Sequence, residues 1–139
     1  KEHNNSVDSL LINKDGELIS GSERYKIMVW NSTTGYVDRV IVEPAKSLVI
    51  NQNNELISSS GSWDETIKIW NMTTGELKRT LSGHKYVNTL VINKDNELIS
   101  GSGDTTIKIW DMETGQVKRT LTGHTGQVFS LVINKNNEL

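Results

Sequence analysis

Cysteine is absent from the 139 residues, and proline occurs only once, at Pro44. The absence of cysteine excludes disulfide bonds and thiolate metal sites and fits a reducing compartment, so we expect a cytoplasmic protein. No apolar run approaches the ~20 residues that a membrane-spanning helix needs. The formal net charge is only −2, and both signs are spread along the chain, which argues against a nucleic-acid or acidic-membrane partner. Composition therefore favours one ordinary globular domain without a redox centre.

What the sequence does contain is a repeat with a fixed period. Trp30, Trp70 and Trp110 are 40 residues apart, and a glycine follows each of them after five residues. The stretches 66–84 and 106–124 differ at only five of their 19 positions. A period near 40 residues indicates an array of repeated supersecondary units.

Each unit has the pattern of four short strands. In the third unit the strands fall near 87–93, 97–100, 106–110 and 116–121, and polar turn residues separate them. The β-branched runs show no 3.6-residue period, which excludes helices as the main element. In the first strand of the first unit the apolar residues Val7, Leu10 and Ile12 alternate with one extra residue, which predicts a β-bulge. The sequence therefore predicts an all-β array.

The hairpin turns carry a recurring dipeptide. In the first unit it is Asp15-Gly16, which predicts a hairpin turn because both residues tolerate positive φ. Its counterparts are Asn53-Asn54, Asp95-Asn96 and Asn136-Asn137, which enter the left-handed region at modest cost. A fourth unit, with Val128, Leu131 and Ile133, should hold one strand and the beginning of a second.

Several short motifs resemble those of the WD-repeat (WD40) β-propeller family over the whole chain. They are Gly83-His84, Gly123-His124, the Ile-Ser-Gly-Ser strand ends, Asp104 six residues before Trp110, and Trp110-Asp111. The resemblance implies blades of four antiparallel strands arranged radially around a channel. About three and a third blades are present in 1–139, near 3–43, 44–82, 83–122 and, incomplete, 123–139.

The resemblance also implies a hydrogen-bonded tetrad in the third unit, formed by His84, Ser100, Asp104 and Trp110. A serine, a histidine and an aspartate could suggest a catalytic triad. The structural interpretation is favoured, because the indole N–H completes a satisfied network and no nucleophile elbow surrounds Ser100.

The other two units depart from this pattern. In the first unit His3, Ser20 and Trp30 match, but Arg24 stands in place of the aspartate. In the second unit we match Ser60, Asp64 and Trp70 to the tetrad, while Glu43-Pro44 replaces Gly-His and two residues are inserted in the turn 60–63. Only the third unit is complete, so we expect it to form the most stable blade.

In WD-repeat propellers, partners commonly dock on the face that holds the loops before the first strand and between the second and third strands. By resemblance, the candidate partner-binding residues here are Asp8, Lys46, Trp63, Tyr86, Asn88, Gln127 and Phe129. Trp63 lies in a polar insertion, where burial is not required, and exposed aromatic residues are frequent interface anchors. The alternative is that Trp63 folds back onto a neighbouring loop.

The leading hypothesis is a noncatalytic scaffold that binds a protein or peptide on this loop face, without a metal or cofactor. The absence of clustered titratable groups argues against a propeller enzyme. The near-identity of the units also fits a ligand-sensing repeat array of a larger multidomain receptor, or a designed or reconstructed repeat protein. Because this number of units cannot close a ring of the usual seven blades, we expect completion by further blades, which we favour, or by self-association.

Overall fold

A computed structural model gives the fold, and it describes residues 3–62 and 64–139. Twelve strands and no helix are present in those residues, so the predicted all-β class is confirmed. Within the same ranges no helix is long and apolar enough to cross a membrane. The strands form three antiparallel four-stranded sheets, each in sequential order, which we call blades 1, 2 and 3.

Every blade is built from four consecutive strands. Blade 1 consists of β1 (Ser9–Ile12), β2 (Leu18–Gly21), β3 (Ile27–Trp30) and β4 (Val37–Ile41). Blade 2 consists of β5 (Ser47–Ile50), β6 (Glu55–Ser59), β7 (Ile67–Asn71) and β8 (Leu77–Leu81). Blade 3 consists of β9 (Val87–Ile92), β10 (Leu98–Ser102), β11 (Ile107–Trp110) and β12 (Val117–Leu121).

The blades stack face to face, and the core lies between them. The face that carries the repeat tryptophan, which we call the leading face, packs on the isoleucine-rich trailing face of the preceding blade. Between blades 1 and 2, the core contains Ile19, Ile27 and Val29 on one side and Leu48, Leu56 and Trp70 on the other. Equivalent clusters lie between blades 2 and 3 and between blade 3 and residues 128–133. Successive side chains of a strand point to opposite faces of the sheet, so each blade has two apolar faces. Each face needs a neighbouring blade or segment to bury it.

Within residues 3–62 and 64–139, no segment covers the leading face of blade 1. Leu10 of β1 is 62% exposed, whereas its repeat equivalents Leu48 and Leu90 are 6% and 3% exposed. Because all three residues are leucines, the difference in exposed fraction shows how much of this side chain a preceding blade buries. Burying a leucine contributes about 1.5–3 kcal/mol, so the uncovered face leaves considerable stabilisation unused.

The β1–β2 connection is a hairpin turn in which one residue has positive φ. The amide of Gly16 donates to the carbonyl of Asn13 at 3.1 Å, so the turn spans four residues. Only its last residue has positive φ, at 79° for Gly16 and at 59° for both Asn54 and Asn96. The predicted hairpin turn is therefore present, and one left-handed residue is enough to return the chain to β2.

The expected strand of the fourth unit does not form. Residues 123–139, all of which are described, contain no strand, although the amide of Val128 donates to the carbonyl of Ser102 at 2.9 Å. Val128 is buried against blade 3, and Leu131 and Ile133 are partly buried there. Side-chain packing holds this segment, but a strand needs a ladder of backbone hydrogen bonds, and no described segment provides one.

The paired residues of β1 and β2 show no register shift, so the β-bulge predicted in the first strand of the first unit is not seen there, whereas one forms in the first strand of blade 3. Gly101 pairs with Thr89 and Ser102 pairs with Val87, so Asn88 is the extra residue. Each blade has a further bulge beside its tryptophan, between the third and fourth strands, which the sequence did not predict. The bulge at Asn88 turns β9 at the loop end of the blade, where the candidate partner-binding residues lie.

Candidate partner-binding face

The loop face divides into two parts with different character. The first part joins blades 1 and 2 and contains Asp8 and Lys46. The second joins blade 3 to the following segment and contains Tyr86, Asn88, Gln127 and Phe129. Trp63 lies outside the described residues, so its role as an anchor stays a prediction.

In the first part, the charged side chains are bound to one another. The ammonium of Lys46 lies 3.4 Å from the carboxylate of Asp8 and 3.3 Å from that of Glu23. Asp8 also accepts a hydrogen bond of 2.9 Å from the backbone N–H of Glu23, and Glu23 accepts one of 3.1 Å from the hydroxyl of Ser62. Burial alone would raise the pKa of Asp8, but the Glu23 N–H and Lys46 outweigh it and lower that pKa. Asp8 and Lys46 therefore join the two blades.

In the second part, an aromatic side chain is presented on a constrained backbone. Tyr86 has a φ of 51° and is 47% exposed. The amide of Gly103 donates to the carbonyl of Tyr86 at 2.9 Å. A side chain at position 103 would lie 2.9 Å from the Cβ of Tyr86. A bulky residue with positive φ is unusual, and the surrounding structure must hold it there.

The neighbours of Tyr86 extend this part towards the following segment. The amide group of Asn88 donates to the carbonyl of Val128 at 3.2 Å, and it lies 3.5 Å from the Gln127 side-chain oxygen. Phe129, next to Val128, is 69% exposed. Tyr86 and Gln127 thus lie beside Gly103, and Asn88 contacts Gln127 and the carbonyl next to Phe129.

Beneath the loops, the four tetrad residues of blade 3 form two hydrogen-bonded pairs. The Nδ1 of His84 lies 2.8 Å from Asp104, and the indole N–H of Trp110 donates to Ser100 at 2.7 Å. The two rings meet edge to face with centroids 5.9 Å apart. Within the described residues the Nε2 of His84 has no hydrogen-bond partner, so the two pairs meet through ring packing.

Burial and hydrogen bonding set the charges of this group. Burial lowers the pKa of His84 and outweighs the opposing effect of Asp104. Burial would raise the pKa of Asp104, but the hydrogen bonds from Thr106 and His84 prevail and hold that pKa well below its usual range. The pair is therefore a neutral imidazole that donates to a carboxylate, which suits a structural link.

The comparisons with known proteins agree with this architecture. The sequence model of the family described as "WD domain, G-beta repeat" matches residues 1–31, 42–71 and 75–111, which is more than half of the chain. The chain belongs to the WD40 repeat family. No curated protein sequence matches it.

Two solved WD40-type structures illustrate the fold. One is entitled "Structure of U3-55K" and the other "Crystal structure of RRP9 WD40 repeats". Each superposes with a TM-score of 0.82 at 23% identity over 91% of this chain. The chain spans 42% of the length of each. At this identity the likeness shows the fold alone, a partial WD40 propeller.

The other two WD40 blades make only part of the tetrad. In blade 1 the Nε2 of His3 lies 2.6 Å from Ser20, which accepts the indole N–H of Trp30 at 2.8 Å. In blade 2 the indole of Trp70 donates to Ser58 at 2.9 Å. Assigning Ser60 to this tetrad was wrong. The insertion follows β6, so it leaves the strand register unchanged, and Ser58 pairs with Lys68 as Ser100 pairs with Lys108.

Blade 2 replaces the histidine contact by an ionic one that the sequence analysis missed. The ammonium of Lys68 lies 2.6 Å from Glu43, in the connection from β4, and 2.9 Å from Asp64. In blade 3, His84 and Asp104 join the corresponding connection and loop. The signal available in the sequence was Glu43 itself, an acidic residue in the connection that lacks the WD40 Gly-His.

The outer strands of blades 2 and 3 also carry ion pairs. Lys78 binds Glu55, and Lys118 binds Glu97 at 2.5 Å. These lysines lie on the outermost strands, where charge disfavours edge-to-edge pairing. In residues 3–62 and 64–139, no group of three His, Asp or Glu side chains is arranged to hold a metal ion.

Proposed function

We propose that this WD40 segment is a noncatalytic scaffold that binds a protein or peptide on its loop face, centred on Tyr86 and Phe129. The observation that carries the proposal is the left-handed, half-exposed Tyr86 held against Gly103. Backbone strain of this kind costs on the order of 1–3 kcal/mol and is concentrated at functional sites. Tyrosine in a fixed backbone is also a frequent anchor at protein interfaces.

The two parts of the loop face contribute differently to this proposal. Asp8 and Lys46 are bound to each other and to Glu23, so a partner would have to break ion pairs to use them. Phe129 is exposed, and Asn88 and Gln127 lie beside it with polar groups near the surface. Apolar rings surrounded by amide groups match the composition of peptide-binding surfaces. We therefore assign recognition to the second part and blade coupling to the first.

The test is selection of peptides from a random library on the immobilised protein, followed by affinity measurement with individual variants. Tyr86→Ala and Phe129→Ala should each lower the affinity for the selected peptides at least tenfold. The matched control is Tyr25→Ala, since Tyr25 is similarly exposed (53%) but lies in the loop between β2 and β3, in the first part of the loop face, to which no recognition is assigned. Equal loss in Tyr25→Ala, or no loss in Tyr86→Ala, would contradict the proposal. A hydrolase screen that detects turnover would contradict its noncatalytic part.

We also propose that further blades, or a second copy, complete the propeller. The supporting observation is the 62% exposure of Leu10 beside the near-complete burial of its equivalents in blades 2 and 3. Sedimentation of the 139-residue chain tests this, with Leu10→Ser as the variant. A self-associating chain whose association Leu10→Ser abolishes supports completion by copies. A monomer with the full unfolding cooperativity of a closed domain contradicts both forms of completion.

A further inference from the structure

The outer strand of blade 1 can be compared position by position with those of blades 2 and 3. Ile41 pairs with Ile27, and the equivalent pairs are Leu81 with Ile67 and Leu121 with Ile107. The backbone turn before each outer strand also has the same hydrogen bonds. Differences along β4 therefore reflect side chains and not register.

Three exposed positions in or directly beside this strand are apolar in blade 1 alone. Tyr36, Val40 and Val42 are 76%, 42% and 82% exposed. The equivalent residues of the other two blades are all polar, namely Glu76, Thr80, Ser82, Gln116, Thr120 and Thr122. We call Tyr36, Val40 and Val42 the rim patch.

The exposure of the rim patch does not result from the missing neighbour of blade 1. Thr80 and Thr120 are exposed as well, although blades 2 and 3 each have a preceding blade. Blades diverge towards the outside of a propeller, so the outermost strands remain open to solvent. The rim patch thus lies at the outer rim of the leading face, where the equivalent positions of blades 2 and 3 stay exposed beside a preceding blade.

The neighbouring strand, β3, also has an apolar residue where blade 3 has a polar one. Val40 pairs across the strands with Met28, which is fully buried. In blade 3 the equivalent residues are Lys108 and Thr120, and the lysine donates to the threonine hydroxyl at 3.2 Å. A polar cross-strand pair in one blade is therefore an apolar pair in the other, which makes the rim of blade 1 consistently apolar.

The charges next to the rim patch are reversed in the same way. Asp38 occupies the bulge position that Lys78 and Lys118 hold in blades 2 and 3. Those lysines bind Glu55 and Glu97, whose equivalent in blade 1 is Glu17. Glu17 is held in the same way, by an amide hydrogen bond of 2.7 Å from Asn13.

Blade 1 consequently has two carboxylates where the other blades have a carboxylate and an ammonium. The nearest arginine along the strand, Arg39, donates to the carbonyl of Met72 in blade 2 and is directed away. No ion pair to Glu17 or Asp38 forms within residues 3–62 and 64–139. A cation supplied from outside the chain would complete the pattern seen in blades 2 and 3.

We propose that the edge of β4 binds an extended segment of a partner protein. The segment has apolar side chains that pack on the rim patch and a lysine or arginine that faces Glu17 and Asp38. β4 is the last strand of its sheet, so its outer edge is available for backbone pairing, and added strands of this type are a common mode of peptide recognition. This site lies on the outer rim and is independent of the loop face.

The experiment uses two fluorescent nine-residue peptides of alternating valine and threonine with either lysine or glutamate at the centre. Wild-type chain should bind the lysine peptide at least tenfold more tightly than the glutamate peptide. Asp38→Lys, which installs the ion pair of blades 2 and 3, should abolish that preference. Val40→Thr combined with Val42→Ser, both taken from blade 2, should weaken the lysine peptide at least tenfold, while Tyr86→Ala leaves it unchanged.

A gain-of-function variant provides the matched control in the same chain. Glu76→Tyr, Lys78→Asp, Thr80→Val and Ser82→Val together give blade 2 the rim patch and the carboxylate of blade 1, and this variant should bind two peptides per chain. Asp38→Asn replaces Asp38→Lys if the latter lowers the melting temperature. Equal binding of both peptides by the wild type would overturn the proposal. Self-association that Val42→Ser abolishes, without peptide binding, would also overturn it, because a second copy would then be the occupant.

Discussion

The amide of Gly103 donates to the carbonyl of Tyr86, and the Cβ of Tyr86 occupies the space that a side chain at position 103 would need. This relationship joins the loop before β9 to the loop between β10 and β11. It fixes Tyr86 in a left-handed conformation and leaves its ring half exposed. The position of the aromatic anchor thus depends on a glycine 17 residues further along the chain.

Gly103→Ala should therefore destabilise the loop pair and displace Tyr86. The added Cβ would approach the Cβ of Tyr86 to 2.9 Å, which requires movement of backbone and not of a flexible side-chain end. We expect the free energy of unfolding to fall by about 1–3 kcal/mol. The variant should also no longer bind the peptides selected on the wild-type protein. Gly126→Ala is the control, because a Cβ at Gly126 meets nothing within 4 Å, and it should change stability by no more than about 0.5 kcal/mol. If Gly103→Ala and Gly126→Ala lowered the free energy of unfolding equally in urea, the close contact between position 103 and Tyr86 would be ruled out.

Asp104→Ala should cost about 1–3 kcal/mol, because it leaves buried donors without an acceptor. Asp104 accepts hydrogen bonds from His84 at 2.8 Å and from the hydroxyl and amide of Thr106 at 2.6 and 3.0 Å. Thermal unfolding measures the effect, with Asp15→Ala in an exposed turn as the control. An unchanged melting midpoint in Asp104→Ala would show that these contacts do not stabilise the blade.

The stability of the chain should fall as the pH is lowered from 7 to 5. Burial lowers the pKa of His84 below 6.5, and burial with Lys26 lowers the pKa of His3 in the same direction. The unfolded chain therefore takes up protons first, so stability is complete above pH 6.5 and is lost below it. Each histidine contributes up to about 1.4 kcal/mol per pH unit.

His84→Gln and His3→Gln should each reduce this dependence. Urea denaturation at pH 7, 6 and 5 measures the slope for each variant. A slope in His84→Gln that equals the wild-type slope would assign the effect to other groups.

Lys68→Met should destabilise the chain by about 1 kcal/mol more than Lys108→Met. The two lysines hold the same repeat position, and blade 1 has Met28 there. Only Lys68 joins two carboxylates, Glu43 and Asp64. In 1 M salt the difference measured by urea denaturation should be smaller, because salt weakens ion pairs whose carboxylates, here those of Glu43 and Asp64, are partly exposed to solvent. A difference that salt does not affect would point to packing of the lysine stem.

Trp63→Ala should weaken partner binding at least tenfold if the sequence-based assignment of Trp63 as an anchor is right. Large aromatic residues in exposed loops supply much of the affinity of protein interfaces. Affinity for the selected peptides measures this, with Trp30→Phe as a framework control judged by thermal unfolding. Unchanged affinity in Trp63→Ala would leave recognition to Tyr86 and Phe129.

Much of the fold could be predicted from the sequence, because its signals are local. The 40-residue spacing of the tryptophans gave the number of blades, and strand alternation gave their composition. The turn type was harder to predict than the turn itself, because Asp15-Gly16 suits more than one turn type and the flanking strands select among them. The missing strand after Val128 was a different failure, because strand formation depends on a partner and not on the segment itself.

The candidate site shows the same division. The sequence identified Tyr86, Asn88, Gln127 and Phe129 as one face through resemblance to a repeat pattern. It could not reveal that Asp8 and Lys46 neutralise each other, because ion pairs between blades depend on distances that no spacing encodes. The serine of blade 2 was misassigned for a related reason, since an insertion shifts residue counts while the register of β6 and β7 stays fixed.

By itself, the sequence determined the repeat period, the four-stranded blades and the tryptophan framework, because periodicity and turn residues act within a few positions of the chain. Only the tertiary structure decided which faces are buried, which charges are paired and where Tyr86 is held. These properties arise when residues about 40 positions apart become neighbours, and their energies depend on distance and solvent access. The contact between Tyr86 and Gly103, and the unmatched carboxylates Glu17 and Asp38, are visible only at that level.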